Sequence, residues 1–244
     1  MELYQKNILE KFINDLKTDS MKKLAKCIFE ELPDYWFTEP ASSSGKYHPI
    51  MSCGEAGLFR HSLAVEMYMS YILNLEQYNS LFTVEQQDAL KLGAFIHDGR
   101  KHGEEDKGHT VFDHPVCMAN SILKFKGQIN GVSDEIIDFL ADSIKTHMGQ
   151  WNTDKRSNIV LEKPHTEAQK LVHLCDYLAS RKAIDINFDV DVEYEKPTKE
   201  TYVFTFGKHK GESLMSVAKK DPTYINWLKN EWRTEPLKSL VKTL

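Results

Sequence analysis

Apolar residues recur at helical spacing along most of the chain. Leu3, Ile8, Leu9, Phe12, Ile13 and Leu16 predict a helix over 2–17, and Leu24, Ile28 and Leu32 predict a second from Ser20 to the residue before Pro33. Tyr35-Trp36-Phe37 then reads as an aromatic packing plug. A helix over 58–75 carries Leu63, Met67 and Tyr71 on one stripe. The capping-box pattern Thr83-Val84-Glu85-Gln86 opens the next, whose Ala89, Leu90, Gly93, Ala94, Phe95 and Ile96 mark it as buried. His114-Pro115 starts another through Leu123, since proline fits a first helical turn. Ser133 caps a helix with Ile136, Leu140 and Ser143 on one face, and a last long helix over 165–183 places Val172, Asp176 and Ala179 on one stripe.

The pattern then changes. Asp189, Asp191, Glu193 and Glu195 alternate with Phe188, Val190, Val192 and Tyr194, which predicts an acidic linker or edge strand over 185–200. Residues 201–244 read as a separate unit, with a strand at Tyr202–Phe206, a basic turn at Gly207–Gly211 and two or more short helices. The expected architecture is mainly α: a helical bundle over 1–184, with 1–40 packing onto it, and a small basic α+β appendage over 201–244.

Charge sharpens that division. The whole chain of 244 residues carries a net charge of −5, so it is not a general polyanion binder. Residues 201–244 hold eight Lys and Arg against four Asp and Glu, a net +4 that leaves −9 for the rest. Such asymmetry favours an anion-facing tail. Cys27, Cys53, Cys117 and Cys175 form no Cys-x-x-Cys pair, as expected for free thiols in a reducing cytoplasm. No apolar run approaches the ~20 residues of a membrane span, and the first residues do not read as a secretion signal.

The polar residues that interrupt apolar faces carry the chemistry. His61 lies in the first turns of the helix over 58–75. His97 and Asp98 end a buried helix, where the helix dipole disfavours a carboxylate and a nearby cation would offset it. His114 sits at a helix start, and His147 continues the face of Ile136 about three turns on. Asp176 occupies an apolar stripe, which is costly unless it is paired or metal-bound; Arg181 or Lys182 is the alternative partner. Imidazoles and carboxylates without thiolates suit Mn²⁺, Fe²⁺, Mg²⁺ or Zn²⁺ in octahedral N/O geometry. Two such ions can activate water and clamp the oxygens of a displacement at phosphorus. No serine sits in a nucleophile elbow and no Walker loop is present. Two long polar loops flank these residues. That over 38–57 offers Lys46 and His48 to a phosphate; that over 149–164 holds Trp151, Lys155 and Arg156.

Together, His61, His97-Asp98, His114, His147 and Asp176 resemble the ligand set of the HD-domain metal-dependent phosphohydrolases, over roughly residues 40–185. The approach Gly57-Leu58-Phe59-Arg60-His61, the spacing His97-Asp98-Gly99-Arg100-Lys101 and the helix bearing Val172-His173 and Asp176 are similar to bacterial HD-domain 3′-to-5′ exoribonucleases. Gly99-Arg100 and Thr146 depart from that pattern. The resemblance implies that His61, His97, Asp98 and Asp176 hold one ion, with Asp98 bridging to a second on His114 and His147. It makes Lys101 a phosphate contact, with Lys46, His48 and Arg100 as further substrate-binding candidates. Mn²⁺ or Fe²⁺ is favoured, with Mg²⁺, Zn²⁺, Ni²⁺ or Co²⁺ as alternatives. Phe206-Gly207-Lys208-His209-Lys210-Gly211 with Asp221-Pro222, Tyr224 and Trp227-Leu228 resembles a small domain appended to bacterial and phage DNA exonucleases, which makes Lys208 and Lys210 substrate-binding candidates. The implied function is hydrolysis of a phosphoester in a single-stranded nucleic acid or a nucleotide, away from membranes, in the cytoplasm of a bacterium or a phage-infected one. The alternatives are a nucleotidase, a cyclic-nucleotide phosphodiesterase or a catalytically silent nucleotide-binding module.

Overall fold

The computed structural model describes residues 1–42, 45, 48–182, 184, 197–232 and 236–244. Among them the chain is mainly α, with β-pairing confined to two isolated bridges, Thr153 with Val160 and Val203 with Ser213. The first part holds α1 (Leu3–Asp15), α2 (Asp19–Glu31), α3 (Asp34–Thr38), α4 (Gly57–Leu73), α5 (Glu76–Asn79), α6 (Val84–Ile96), α7 (His114–Leu123), α8 (Asp134–Ile144) and α9 (Glu167–Ala179). The C-terminal part holds α10 (Leu214–Lys220), α11 (Pro222–Glu231) and α12 (Leu237–Lys242). No helix among the described residues is long and apolar enough to cross a membrane.

The helices begin where local chemistry satisfies their free N–H groups. Thr83 and Gln86 form the reciprocal capping box that starts α6, and Thr166 and Gln169 do the same for α9. Ser133 Oγ accepts from Ile136 N at the start of α8. The frame is α4, α6, α8 and α9 packed on one another, with α7 against α8 and α2 against α6. Both α4 and α6 are buried along most of their length, because helices cover them on several sides.

An aromatic cluster fixes the end of α6. Phe95 meets Phe12 at 5.1 Å between ring centroids, Phe29 and Phe59 at 5.8 Å, and Trp36 at 5.7 Å. The Tyr35-Trp36-Phe37 plug is therefore buried core, and it grips the helix turn just before His97 and Asp98.

Two expectations change. His147 does not continue α8: the helix ends at Ile144, and a tight turn with His147 N bonded to Ile144 O still delivers the imidazole inward. Tyr202–Phe206 is not a strand. Val203 makes one bridge to Ser213, and Phe204 turns into the second core. Among the described residues the appendage is helices with one antiparallel bridge, Val203 to Ser213. The expected acidic linker falls mostly on 185–196, outside the described residues. Buried apolar side chains gather in two clusters, the large one described above and a small one of Phe204, Leu214, Val217, Ile225, Leu228, Leu237 and Val241.

Truncating Phe95 to alanine removes the ring that four other aromatics share. Phe95→Ala is expected to destabilise the chain by about 3–5 kcal/mol, read as a lower urea midpoint; an unchanged midpoint would contradict this account of the core.

Candidate metal centre

The α6 helix ends at Ile96 and hands the chain to a turn holding His97 and Asp98, both buried. The α4 helix supplies His61, the start of α7 supplies His114, the turn after α8 supplies His147, and α9 supplies Asp176. All six side chains converge. Asp98 stands at the centre with its two oxygens facing opposite ways. Oδ1 lies 3.0 Å from His114 Nε2 and 3.5 Å from His147 Nε2. Oδ2 lies 3.7 Å from His97 Nε2 and accepts from Lys101 Nζ. On the far side, Asp176 Oδ1 lies 3.1 Å from His61 Nε2 and 3.8 Å from His97 Nε2. Two overlapping groups result that could each hold a metal ion: His61, His97 and Asp176, and His97, Asp98 and His147.

Hydrogen bonds behind the rings decide which nitrogens face inward. Nδ1 of His97 donates to Ala94 O at 2.8 Å, Nδ1 of His114 to Val111 O at 2.8 Å, and Nδ1 of His147 to Ile144 O at 2.9 Å. Each partner is the carbonyl three residues back, so each ring is locked by its own turn. A proton on Nδ1 leaves Nε2 as a lone pair, the form that ligates metals. His114 Nε2 and His147 Nε2 are 3.1 Å apart, with Asp98 Oδ1 beside both. Two lone pairs and a carboxylate oxygen at that range repel unless a proton or a metal ion lies among them. For metal–ligand bonds of about 2.1 Å, adjacent octahedral ligands sit about 3.0 Å apart; two sides of this triangle, 3.0 and 3.1 Å, match, and the third, His147 to Asp98, is longer at 3.5 Å.

The electrostatics agree. Burial alone would raise the Asp98 carboxyl, but Lys101, His97 and the His114 bond outweigh it and hold it well below the usual carboxylate range. Burial likewise works against Asp176, and His61 and His97 hold that carboxyl low. His97 is pushed down to about 4 by burial, against the pull of Asp98 and Asp176. His147 moves up despite burial, because it bonds Asp98. Two buried carboxylates kept ionised need positive charge; Lys101 and the histidines supply it here, and a divalent ion could supply it in their place.

The remaining candidates divide. Lys101 is in place against Asp98. His48 packs edge-on against His61 at 5.0 Å, and burial, with the charges of His61 and Lys101, lowers it to about 3. It is therefore a neutral imidazole beside the cluster rather than a cationic phosphate clamp. Lys46 lies outside the described residues. Arg100 does not join the cluster: its Nε donates to Ser121 Oγ at 3.2 Å and its guanidinium lies 4.0 Å from Glu31, because in this helix-like turn Lys101, three residues after Asp98, shares its face and Arg100, two after, does not. Asp176 takes His61 as its partner, whereas Arg181 lies over the Tyr177 ring at 4.3 Å. Lys208 bonds Asp221 at 2.7 Å in the C-terminal unit, and Lys210 is exposed there.

Sequence reasoning missed the supports. The Tyr35 hydroxyl donates to Gly99 O at 3.4 Å and accepts from His102 N at 3.2 Å, and its ring stacks on the His102 imidazole at 3.9 Å. This clamps the 97–102 turn from outside. Gly99 is glycine for packing reasons: a Cβ there would lie 2.6 Å from Leu32 Cδ2 and 2.8 Å from Met118 Sδ. His173 Nδ1 donates to His147 O at 2.7 Å and so braces that turn. The only foreseeable signal was local, the four-residue step from His102 to Asp106, which bond at 2.8 Å.

Known proteins touch only one end of this picture. The exodeoxyribonuclease X-like C-terminal family model matches residues 204–231, which ties the C-terminal unit to exonuclease-type proteins. No curated protein and no solved structure matches the chain. The matched stretch begins at Phe204 and spans α10 and α11, the elements that carry most of the second core.

Lys101 is the one ammonium bonded to the buried Asp98 among the described residues. In chelator-treated protein, Lys101→Met is expected to lower stability by about 3–5 kcal/mol, measured by urea denaturation. No change would show that Asp98 is balanced by other groups.

Proposed function

We propose that this chain is an HD-type, metal-dependent phosphohydrolase that cleaves a phosphoester of a single-stranded nucleic acid. The observation that carries the reading is the set of three histidines whose Nδ1 atoms are tied to carbonyls, so that their Nε2 lone pairs meet on the two oxygens of Asp98. His61, His97, Asp98 and Asp176 would hold one ion, and His114 and His147, with Asp98, a second. Divalent ions there, Mn²⁺ or Fe²⁺ by preference, supply acidified water and positive charge for the phosphoryl oxygens. The chain supplies the rest. Tyr35 fixes the turn that aims His97 and Asp98, and His173 fixes the turn that aims His147. Lys101, whose ammonium bonds Asp98, would supply positive charge to a phosphate held at this cluster.

The C-terminal unit supports a polynucleotide substrate, since it matches an exonuclease-associated family and carries a net positive charge. We place the boundary between the two units in 185–200, between the two apolar cores. The −9 balance of the remaining residues favours a second reading, a nucleotidase or cyclic-nucleotide phosphodiesterase with a smaller anionic substrate.

Turnover with added Mn²⁺ on mononucleotides, cyclic dinucleotides and 3′-labelled single-stranded DNA and RNA separates these. The expected result is release of the 3′ label as a mononucleotide. In Asp98→Ala and His147→Ala this falls by about a thousandfold or more, as for loss of a principal transition-state contact, and bound metal falls with it by elemental analysis. Hydrolysis of mononucleotides alone would remove the nuclease version. Full activity in both variants would remove the metal-centre reading.

A further inference from the structure

The loop over 149–164 carries an aromatic that the metal centre does not explain. Trp151 is 45% exposed, an unusual state for so large an apolar ring. Its position is nonetheless fixed. Asn152 exchanges two bonds with Leu161, at 2.9 and 3.0 Å, and Thr153 bridges to Val160. On the other side Gly149 adopts φ +58°, and the space a Cβ would fill is taken by the His173 ring. The turn therefore closes directly onto the residue that braces His147.

The indole lies nearly parallel to the Tyr177 ring, at 14° and 5.8 Å, with its edge toward His173 at 6.0 Å. Arg181, four residues on and just past the end of α9, lays its guanidinium over Tyr177 at 4.3 Å. His173 shares a face of α9 with Tyr177 four residues on, meets Trp151, and bonds the carbonyl of His147, so this row of flat groups starts beside the turn that carries a candidate ligand. Parallel aromatics and a guanidinium, held still and partly open to solvent, are what a nucleobase stacks on.

Resting on the reading of the centre as a phosphoester site, we propose that Trp151 and Tyr177 form a stacking platform for the base of the nucleotide whose phosphate lies at the Asp98 cluster. The substrate then carries a base free of duplex pairing, and a baseless phosphoester loses this contact. Every base offers a flat face, so the platform selects unpaired nucleotides without selecting sequence.

The test is calorimetric titration of the full chain, chelator-treated to prevent turnover, with dAMP and with deoxyribose 5-phosphate. Wild type, Trp151→Phe and Trp151→Ala are compared. Wild type and Trp151→Phe are expected to bind dAMP about tenfold or more tightly than Trp151→Ala, the loss of one base–aromatic stack. The sugar phosphate is expected to bind all three weakly and alike. Equal dAMP affinity in wild type and Trp151→Ala overturns the proposal, as does wild type that binds both ligands equally or binds neither. A change of oligomeric state in Trp151→Ala with dAMP binding unchanged would assign the exposed ring to a contact between copies of the chain, and also overturns it. Because no turnover is involved, loss of the platform with hydrolysis intact leaves the phosphohydrolase reading standing. Intact base binding without metal-dependent hydrolysis does the reverse.

Discussion

A buried carboxylate at the C-terminal end of a helix is in the wrong place twice. Burial removes its water, and the helix dipole presents negative partial charge to it. Asp98 occupies that position, and much of the surrounding structure supplies positive charge or donors to its two oxygens. Lys101 serves Oδ2 from three residues on, while His114 and His147 come from other elements to Oδ1. The frame of α4, α6, α8 and α9 is the scaffold that lets groups far apart in sequence meet at this atom pair.

The precision of the site comes from short-range bonds rather than from the helices alone. Three imidazoles are each fixed by the carbonyl three residues earlier, a device that needs only one turn of chain. His147 shows why this matters. It lies past the end of α8, where helical periodicity no longer aims a side chain, yet the turn bond and the His173 brace hold it as firmly as a helix would.

Much of this was legible beforehand. The helices of the bundle follow from apolar spacing and caps, and the convergence of His61, His97, Asp98, His114, His147 and Asp176 follows from their placement on apolar faces. What escaped the sequence was governed by contacts distant in the chain. Gly99 is set by Leu32 and Met118, and the orientation of Arg100 by Ser121 and Glu31. The clamp of Tyr35 on His102 joins two segments that share no pattern. The expected strand at 202–206 shrinks to one bridge: Phe204 pairs its backbone with Gly211 and Glu212 while its ring fills the small core. The exposed row of Trp151, Tyr177 and Arg181 was hidden for the same reason: its members come from a loop and a helix that only folding places side by side.

The central claim is that Asp98 lies between two cations, one on each oxygen. Electron paramagnetic resonance of the Mn²⁺-loaded protein tests it most directly, since two ions sharing a carboxylate are exchange-coupled. The account predicts the broad, multi-line signal of a coupled pair in wild type and its loss in Asp98→Asn. A simple six-line spectrum of isolated Mn²⁺ at saturation, or the same coupled signal in the variant, would contradict it.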